Sequence, residues 1–393
     1  MSNHKPLEFA TALGAKLATR SRHVCAFLGA GVARACDLPD VAQLQEQVVN
    51  ALKPVDREAF KRLLKGRNLE EALTGMRRIA ALVTGKEAFD GLTDSEAKDL
   101  DTAVCKAIVN ALDVQKADLA PVCDFAAWAK RADYHLPIEL FTVNYDLLLE
   151  TALESFGVPY FDGFVGTLRA RFHTELVEGK PGADREWMPA FFVRLWKLHG
   201  SVNWARQADR QIVRLGQPVP EHDAAAIYPS DTKYEESRRV PFVVLQDRLR
   251  RALHEPETLV LIAGYSFGDK HLNELLFDAA SKRERSEFMV FCFSDIPEVL
   301  AKHASTTPNL QIAGGHEAIL GGVRAEWEAP KDPPPGLWVD GKFGLRDFTN
   351  LAAHLARSAT REPDGETLLC ELVEKAVAKR KVEGSTRSTR DDA

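Results

Sequence analysis

The sequence lacks closely spaced cysteines. Its six, Cys25, Cys36, Cys105, Cys123, Cys292 and Cys370, include no C-x-x-C pair, which argues against a dithiol redox motif and reads as reduced core thiols in a cytoplasmic protein. No His, Cys, Asp or Glu cluster has zinc spacing, so no metal is expected. A G-x-S-x-G nucleophile elbow is missing as well. Gly336 to Phe343 superficially resembles a phosphate-binding P-loop, with Gly341-Lys342 after four intervening residues. Phe343 stands where a hydroxyl is required and no strand precedes it, so the match is rejected. Long apolar runs are absent. The longest, Leu259 to Gly264 and Phe288 to Phe293, suit buried strands and fall far short of the ~20 residues of a membrane helix. Met1 to Ala10 has no signal-peptide pattern. A net charge of −6 over 393 residues gives no general attraction to nucleic acid or anionic membrane, and neither is an expected partner.

What is present is an alternation of strand-like and helix-like segments. His23 to Leu28, Ile138 to Val143, Phe191 to Leu198, Thr258 to Ala263 and Glu287 to Phe293 read as strands. Helical spacing runs over Leu44 to Leu64, Leu69 to Leu82, Glu96 to Leu112, Val122 to Arg131, Leu147 to Phe156, Val240 to Leu253 and Lys270 to Ala280. Gly157 to Pro189 reads as loop. The expected fold class is α/β, a Rossmann-like parallel sheet with helices on both faces and a helical insertion. The boundaries follow from the pattern: 1–45 plus 135–325 for the discontinuous Rossmann-type domain, 46–134 for the insertion, and 326–393 for a C-terminal segment. In that segment Leu345 to Arg357 is expected to pack back, and the charged end from Lys379 is expected to be disordered. The basic run Arg248 to Arg251 reads as a solvated helix face or a partner contact.

Four polar sites fall at predicted strand ends: Gly29-Ala30-Gly31, Thr142 to Asp146, Leu198 to Ser201, and Gly264-Tyr265-Ser266 with Asp269, His271 and Asn273 beyond. In a parallel sheet these ends share one edge, where ligands bind. Gly29 and Gly31 let backbone approach a ligand, and a helix starting after them can hold a pyrophosphate. Arg34, however, replaces the third glycine of the dinucleotide fingerprint, and a plain strand-to-helix turn explains the pair as well. Asn144 offers both a donor and an acceptor to sugar hydroxyls or a water. His199 is a proton acceptor near neutral pH. Asp146 and Asp269 suit helix N-caps as well as they suit chemistry. His271 and Asn273 fall in a first helical turn, facing either the crevice or solvent.

The order Phe27-Leu28-Gly29-Ala30-Gly31, Asn144-Tyr145-Asp146, Leu198-His199-Gly200-Ser201, Gly264-Tyr265-Ser266-Phe267 resembles the sirtuin family, in its prokaryotic antiphage-defence branch, over about residues 22 to 295. The resemblance implies a Rossmann-type fold that takes NAD as substrate at the C-terminal edge of the sheet. The glycine turn with Leu38-Pro39-Asp40 would lie near the nicotinamide. Asn144 would hold the ribose and order the attacking water, His199 would contact ribose hydroxyls and act as base, and Asp146 would assist. Ser266 and its neighbours would hold phosphates or the adenine ribose. Protein deacetylases of this family carry four zinc-binding cysteines after the H-G motif. Here Asn203 to Glu257 holds no cysteine, which favours water as acceptor and no zinc. Ala33 also replaces a serine that often follows the glycine turn.

The implied activity is NAD glycohydrolysis, giving nicotinamide and ADP-ribose, with NAD depletion as a regulated antiphage effect. The resemblance further implies a homo-oligomer with a HerA-type ATPase as partner, a short Argonaute being a second candidate. The competing readings are an NAD-dependent deacylase or ADP-ribosyltransferase, and a non-catalytic NAD or ADP-ribose sensor. Modified protein or acyl-ADP-ribose would mark the first. Ligand binding without turnover would mark the second.

Overall fold

The computed structural model describes residues 3–83, 88–179, 192–207, 211–219, 225–227 and 240–358. Helix α1 (Pro6–Leu17) precedes β1 (Val24–Leu28), and a short α2 (Ala30–Ala35) follows. Helices α3 (Val41–Ala51), α4 (Pro54–Leu64), α5 (Leu69–Leu82), α6 (Asp94–Ala111) and α7 (Ala120–Arg131) lead to β2 (Ile138–Thr142) and α8 (Leu148–Ser155). The middle holds β3 (Tyr160–Phe161), β4 (Phe164–Val165), β5 (Arg169–Phe172), α9 (Thr174–Glu178), β6 (Val193–Lys197), β7 (Gly200–Arg206), β8 (Ile212–Leu215) and β9 (Ala225–Ile227). Then come α10 (Phe242–Leu253), β10 (Leu259–Ala263), α11 (Lys270–Lys282), β11 (Glu287–Phe291), α12 (Glu298–Thr306), β12 (Leu310–Ala313), β13 (Glu317–Leu320), β14 (Val323–Glu326) and α13 (Phe348–Ser358).

The main sheet runs β14-β13-β12-β11-β10-β1-β2-β6-β3, parallel from β12 to β3, with β13 and β14 an antiparallel extension. Its parallel strands are apolar almost end to end because both faces are covered. Val24 to Leu28 and Leu259 to Ala263 are all buried. One face packs Phe27, Phe141, Trp196, Val260, Ile262 and Val290 against α10, α11 and α12. On the other side α1 reaches the sheet through Phe9, whose ring meets Phe291 edge-on at 6.2 Å. Phe125 of α7 meets Phe348 of α13 there as well. The expected α/β class is therefore observed: a large, mostly parallel sheet flanked by helices.

The chain winds outward from β1 through β2 to β6, then returns to the opposite side of β1 at β10 and proceeds to β11 and β12. This is the doubly wound order, and the reversal falls between β1 and β10, where such sheets take ligands.

Helices α3 to α6 share a separate apolar core built on Val48, Phe60, Leu73, Met76, Val104 and Ile108. Pro54 at the start of α4 divides what the sequence pattern presents as one stretch, since proline lacks the N–H that a helix interior requires. α7 packs with α8 and α13 instead. Residues 157–179, expected as loop, contain β3, β4, β5 and α9. Strands β4, β5, β8, β7 and β9 form a second, antiparallel sheet. β4 and β9, at two and three residues, are too short for alternation to register, and β7 is buried at all but its last residue and so does not alternate. The rest of the expected loop, 180–189, and the expected disordered tail lie outside the described residues.

One further correction concerns charge. Arg248 is not on a solvated face. It is buried and pairs with Glu139 of β2 through Nε at 2.7 Å and its terminal nitrogen. Glu139 also accepts from Trp196 Nε1 at 2.8 Å and contacts His23 Nε2 at 3.2 Å. Burial pushes the Glu139 carboxyl upward, but these donors overcome it and hold it well below the usual carboxylate range. Arg250 and Arg251 remain exposed. Cys25, Cys36, Cys105, Cys123 and Cys292 are free thiols, as the sequence implies.

Candidate active site

Strand register sets the geometry. Leu28 pairs with Thr142 and Ala263, and Thr142 pairs with Lys197. The next residue on each strand, Gly264, Gly29, Val143 and Leu198, therefore lies at one level of the C-terminal edge, on four adjacent strands. Asn144 and His199 each stand one residue further out, on neighbouring strands about 5 Å apart. The four motifs meet at one edge.

The glycines have a different immediate cause from the expected one. The N–H of Gly31 donates to the Gly264 carbonyl at 2.8 Å, and that of Gly29 donates to Ala263 at 3.0 Å. A Cβ on Gly31 would lie 2.5 Å from Gly264 Cα, and one on Gly29 would lie 2.5 Å from the Gly264 carbonyl oxygen. Gly264 also has φ of +66°, a left-handed conformation that favours glycine. What glycine admits here is the backbone of the opposing turn. Ala30 opens α2, and the N–H groups of Gly31 and Val32 are already bonded within the chain.

Asn144 Nδ2 donates to the Gly29 carbonyl at 3.0 Å, tying the end of β2 to the glycine turn. Among the described residues its Oδ1 makes no hydrogen bond, so it is the acceptor the side chain presents. Asp146 is buried, and its Oδ1 accepts from the Leu148 N–H at 3.1 Å at the start of α8. Burial pushes its carboxyl up, against the Lys197 charge and that N–H. The N-cap position of α8 is Leu147, so Asp146 stands one residue before it and accepts from the first helical N–H. Lys197, buried inside β6, donates to the Asp146 carbonyl and to Glu150 at 2.9 Å.

His199 occupies the turn between the main sheet and β7, made possible by Gly200 at φ +92°. It is 6% exposed, and neither ring nitrogen makes a hydrogen bond among the described residues. Its Nε2 lies 3.3 Å from Asp269 Oδ2, an ion-pair contact outside hydrogen-bond angles. Burial alone would lower the imidazole pKa. Asp269 and Glu70 outweigh it and hold it above the ordinary value of 6.5. Asp269 is lowered in turn: burial opposes this, while His199 and two helix N–H groups favour the charge.

Asp269 caps α11, with Oδ1 accepting from the His271 and Leu272 N–H groups at 2.9 and 3.3 Å. One carboxylate thus serves both the helix and the imidazole. Tyr265 and Asn273 fasten the loop between them. The Tyr265 hydroxyl donates to Asn273 Oδ1 at 2.9 Å, and Asn273 Nδ2 donates to the Phe267 carbonyl at 2.7 Å. That bond restrains Phe267, a non-glycine residue at φ +58°, a conformation that costs ~1–3 kcal/mol and concentrates at functional sites. Ser266 is exposed at the mouth of this turn. His271 points to solvent near Glu274. Asp40 caps α3 in a reciprocal box with Gln43 and contacts Arg34 at 3.5 Å.

Glu70 and Tyr145 matter more than their sequence context suggests. The Tyr145 hydroxyl donates to Glu70 of α5 at 2.7 Å. Nothing local in the sequence marks Glu70, which sits in the helical segment far from every strand end. Lys197 and Glu139 did carry a signal, as charges inside apolar strand runs, which persist only when paired.

Among the described residues no group of three or more His, Cys, Asp or Glu side chains could hold a metal ion, and no helix is long and apolar enough to cross a membrane. No curated protein matches the chain. A family model described as a SIR2-like domain matches residues 138–309, a span that includes Asn144, His199, Gly264 and Asp269 but not the first glycine turn. Over that span, on a doubly wound sheet whose strand ends bring these residues to one edge, the chain is similar to the SIR2-like domain, which supports a place in the sirtuin-like family.

Proposed function

We propose that the chain is an NAD glycohydrolase that cleaves NAD to nicotinamide and ADP-ribose. The SIR2-like domain is consistent with an NAD-utilising enzyme. The observation that carries the finer reading is a buried imidazole beside a tethered amide at the ligand-binding edge, its Nε2 in ion-pair contact with Asp269 and its Nδ1 without a hydrogen bond among the described residues. A buried polar group without a partner is costly unless a ligand or water satisfies it.

Asn144 is held through Nδ2, so its Oδ1 is presented as an acceptor for the attacking water. Neutral His199 accepts a proton from that water, and Asp269 keeps the ring in place and stabilises the imidazolium that results. The water oxygen bonds to the ribose anomeric carbon while the bond to nicotinamide breaks, its electron pair leaving with the neutral base. The sum is NAD plus water to nicotinamide, ADP-ribose and a proton. The oxocarbenium-like transition state needs orientation and exclusion of bulk water more than a strong acid. In this reading Gly29, Ala30, Gly31 and Asp40 shape the nicotinamide side, and Ser266 with His271 approaches the phosphates or the adenine ribose.

Regulation by assembly extends the proposal. Val55, Leu82 and Phe89, on or beside α3 to α6, are 81%, 80% and 62% exposed. These exposed apolar side chains suit a docking or self-association surface; the proposal that the partner is a HerA-type ATPase, ahead of a short Argonaute, in a cytoplasmic antiphage role with low turnover until activated, comes from the family resemblance alone. Chromatography of NAD incubated with the full chain, alone and with such an ATPase, tests the activity. Nicotinamide and ADP-ribose are expected in equal amounts, and Asn144→Ala and His199→Ala should each slow their formation by at least ~10²-fold. Equal NAD loss in wild type and both variants, or none under either condition, contradicts the proposal.

A further inference from the structure

The module formed by α3 to α6 packs on the candidate site through Tyr145 and through Val202 and Ala205 of β7. Tyr145 follows Asn144, and its ring is buried in the module's core, where the hydroxyl donates to Glu70 Oε1 at 2.7 Å. Its backbone carbonyl accepts from the Val202 N–H at 2.9 Å and from Ser201 Oγ at 3.3 Å, immediately beyond His199. A displacement of the first turn of α5 therefore reaches both Asn144, through the chain, and His199, through β7.

The charged and titratable groups around His199 come from several elements. Asp269 approaches from α11 at 3.3 Å. Glu70 acts from α5. The phenols of Tyr145 and Tyr265 are held neutral, burial being the main cause in each. Arg77 of α5, paired with Asp101 at 2.9 Å, acts on Tyr145. The module thus supplies a second carboxylate whose charge acts on the imidazole.

We infer that Glu70 is a positioning residue for the NAD-cleaving site, and that docking of the α3–α6 module on the strand edge, through the Glu70–Tyr145 contact, sets the site's competence. This rests on the proposed function for its kinetic consequence but not for its electrostatic one. A shift of the module, as when a partner or a second copy binds it, would move one carboxylate and one strut together, giving a route from assembly to turnover.

Two measurements test it. The first is NMR titration of the His199 ring, assigned with His199→Ala, in wild type and Glu70→Gln. Removing the carboxylate while keeping its shape should lower the His199 midpoint, and Glu70→Asp should restore part of it. The second is the pH profile of kcat/KM for NAD. Its acidic limb should move to lower pH in Glu70→Gln. In Tyr145→Phe, which deletes only the hydroxyl, kcat should fall roughly 10- to 100-fold with KM changed less and the thermal midpoint nearly unchanged. An identical His199 midpoint in Glu70→Gln, or wild-type kcat in Tyr145→Phe, overturns the inference. A wild-type chain that titrates as expected but does not cleave NAD counts against the glycohydrolase reading alone.

Discussion

At the residue scale, the site is organised by side chains with two tasks. Asp269 caps α11 with one oxygen and faces His199 with the other. Asp269→Asn separates the tasks, because asparagine caps as well as aspartate but carries no charge. We predict a stability loss below ~1 kcal/mol by urea denaturation. We also predict a clear shift in pH dependence. His199 is raised above 6.5 in the folded chain, and a base must be neutral to act, so activity rises as pH climbs through that raised value. Without the Asp269 charge the limb moves to lower pH. The same raised value means that protonation of His199 favours the folded state below the unfolded pKa, a contribution lost as pH rises through the folded one. A limb that stays in place in Asp269→Asn would show that the pair has no electrostatic role.

At the element scale, the junction of β1 and β10 is closed by glycine against glycine. Gly31→Ala places a methyl 2.5 Å from Gly264 Cα, with backbone on both sides and no flexible side chain to yield. A loss of about 1–3 kcal/mol is expected, together with weaker NAD binding as the Gly29–Asn144 tether shifts. Gly14→Ala is the control. It lies inside α1 with nothing within 4 Å of an added Cβ, and should stabilise by ~0.5–1 kcal/mol. Calorimetry of the two variants checks the contrast, which fails if Gly31→Ala unfolds at the wild-type temperature. This junction also shows what a sequence reveals. Strands that are buried on both faces announce themselves as apolar runs, and their shared edge follows from parallel winding, so Asn144, His199 and the glycine turns were legible together. The cause of the glycines was not, because the partner of Gly31 is more than 230 residues away, at Gly264. Short strands such as β4 and β5 carry too few residues for a period, and the pairing of β5 with β8 is a tertiary fact.

At the scale of the whole molecule, two apolar cores meet at one polar edge. The main sheet supplies Asn144, His199 and the turns. The α3–α6 module supplies Glu70 and encloses Tyr145. Patterning in the sequence separates the helical segment from the sheet but does not show that it reaches the strand ends, since that contact joins residues remote in the chain: Tyr145, Val202 and Ala205 with the helical core, and the Tyr145 hydroxyl with Glu70. The buried Glu139–Arg248–Trp196 group ties β2, β6 and α10 together; Glu139 stands out in the sequence as a charge in an apolar run, but its partners appear only once the sheet is assembled. The account requires that a dinucleotide sit where these parts converge. The most direct measurement is the structure of His199→Ala with NAD bound. The account predicts the nicotinamide ribose beside Asn144 Oδ1 and position 199, outside the level of Gly29, Val143, Leu198 and Gly264. NAD bound elsewhere on the chain, or a ribose facing away from Asn144, would contradict it.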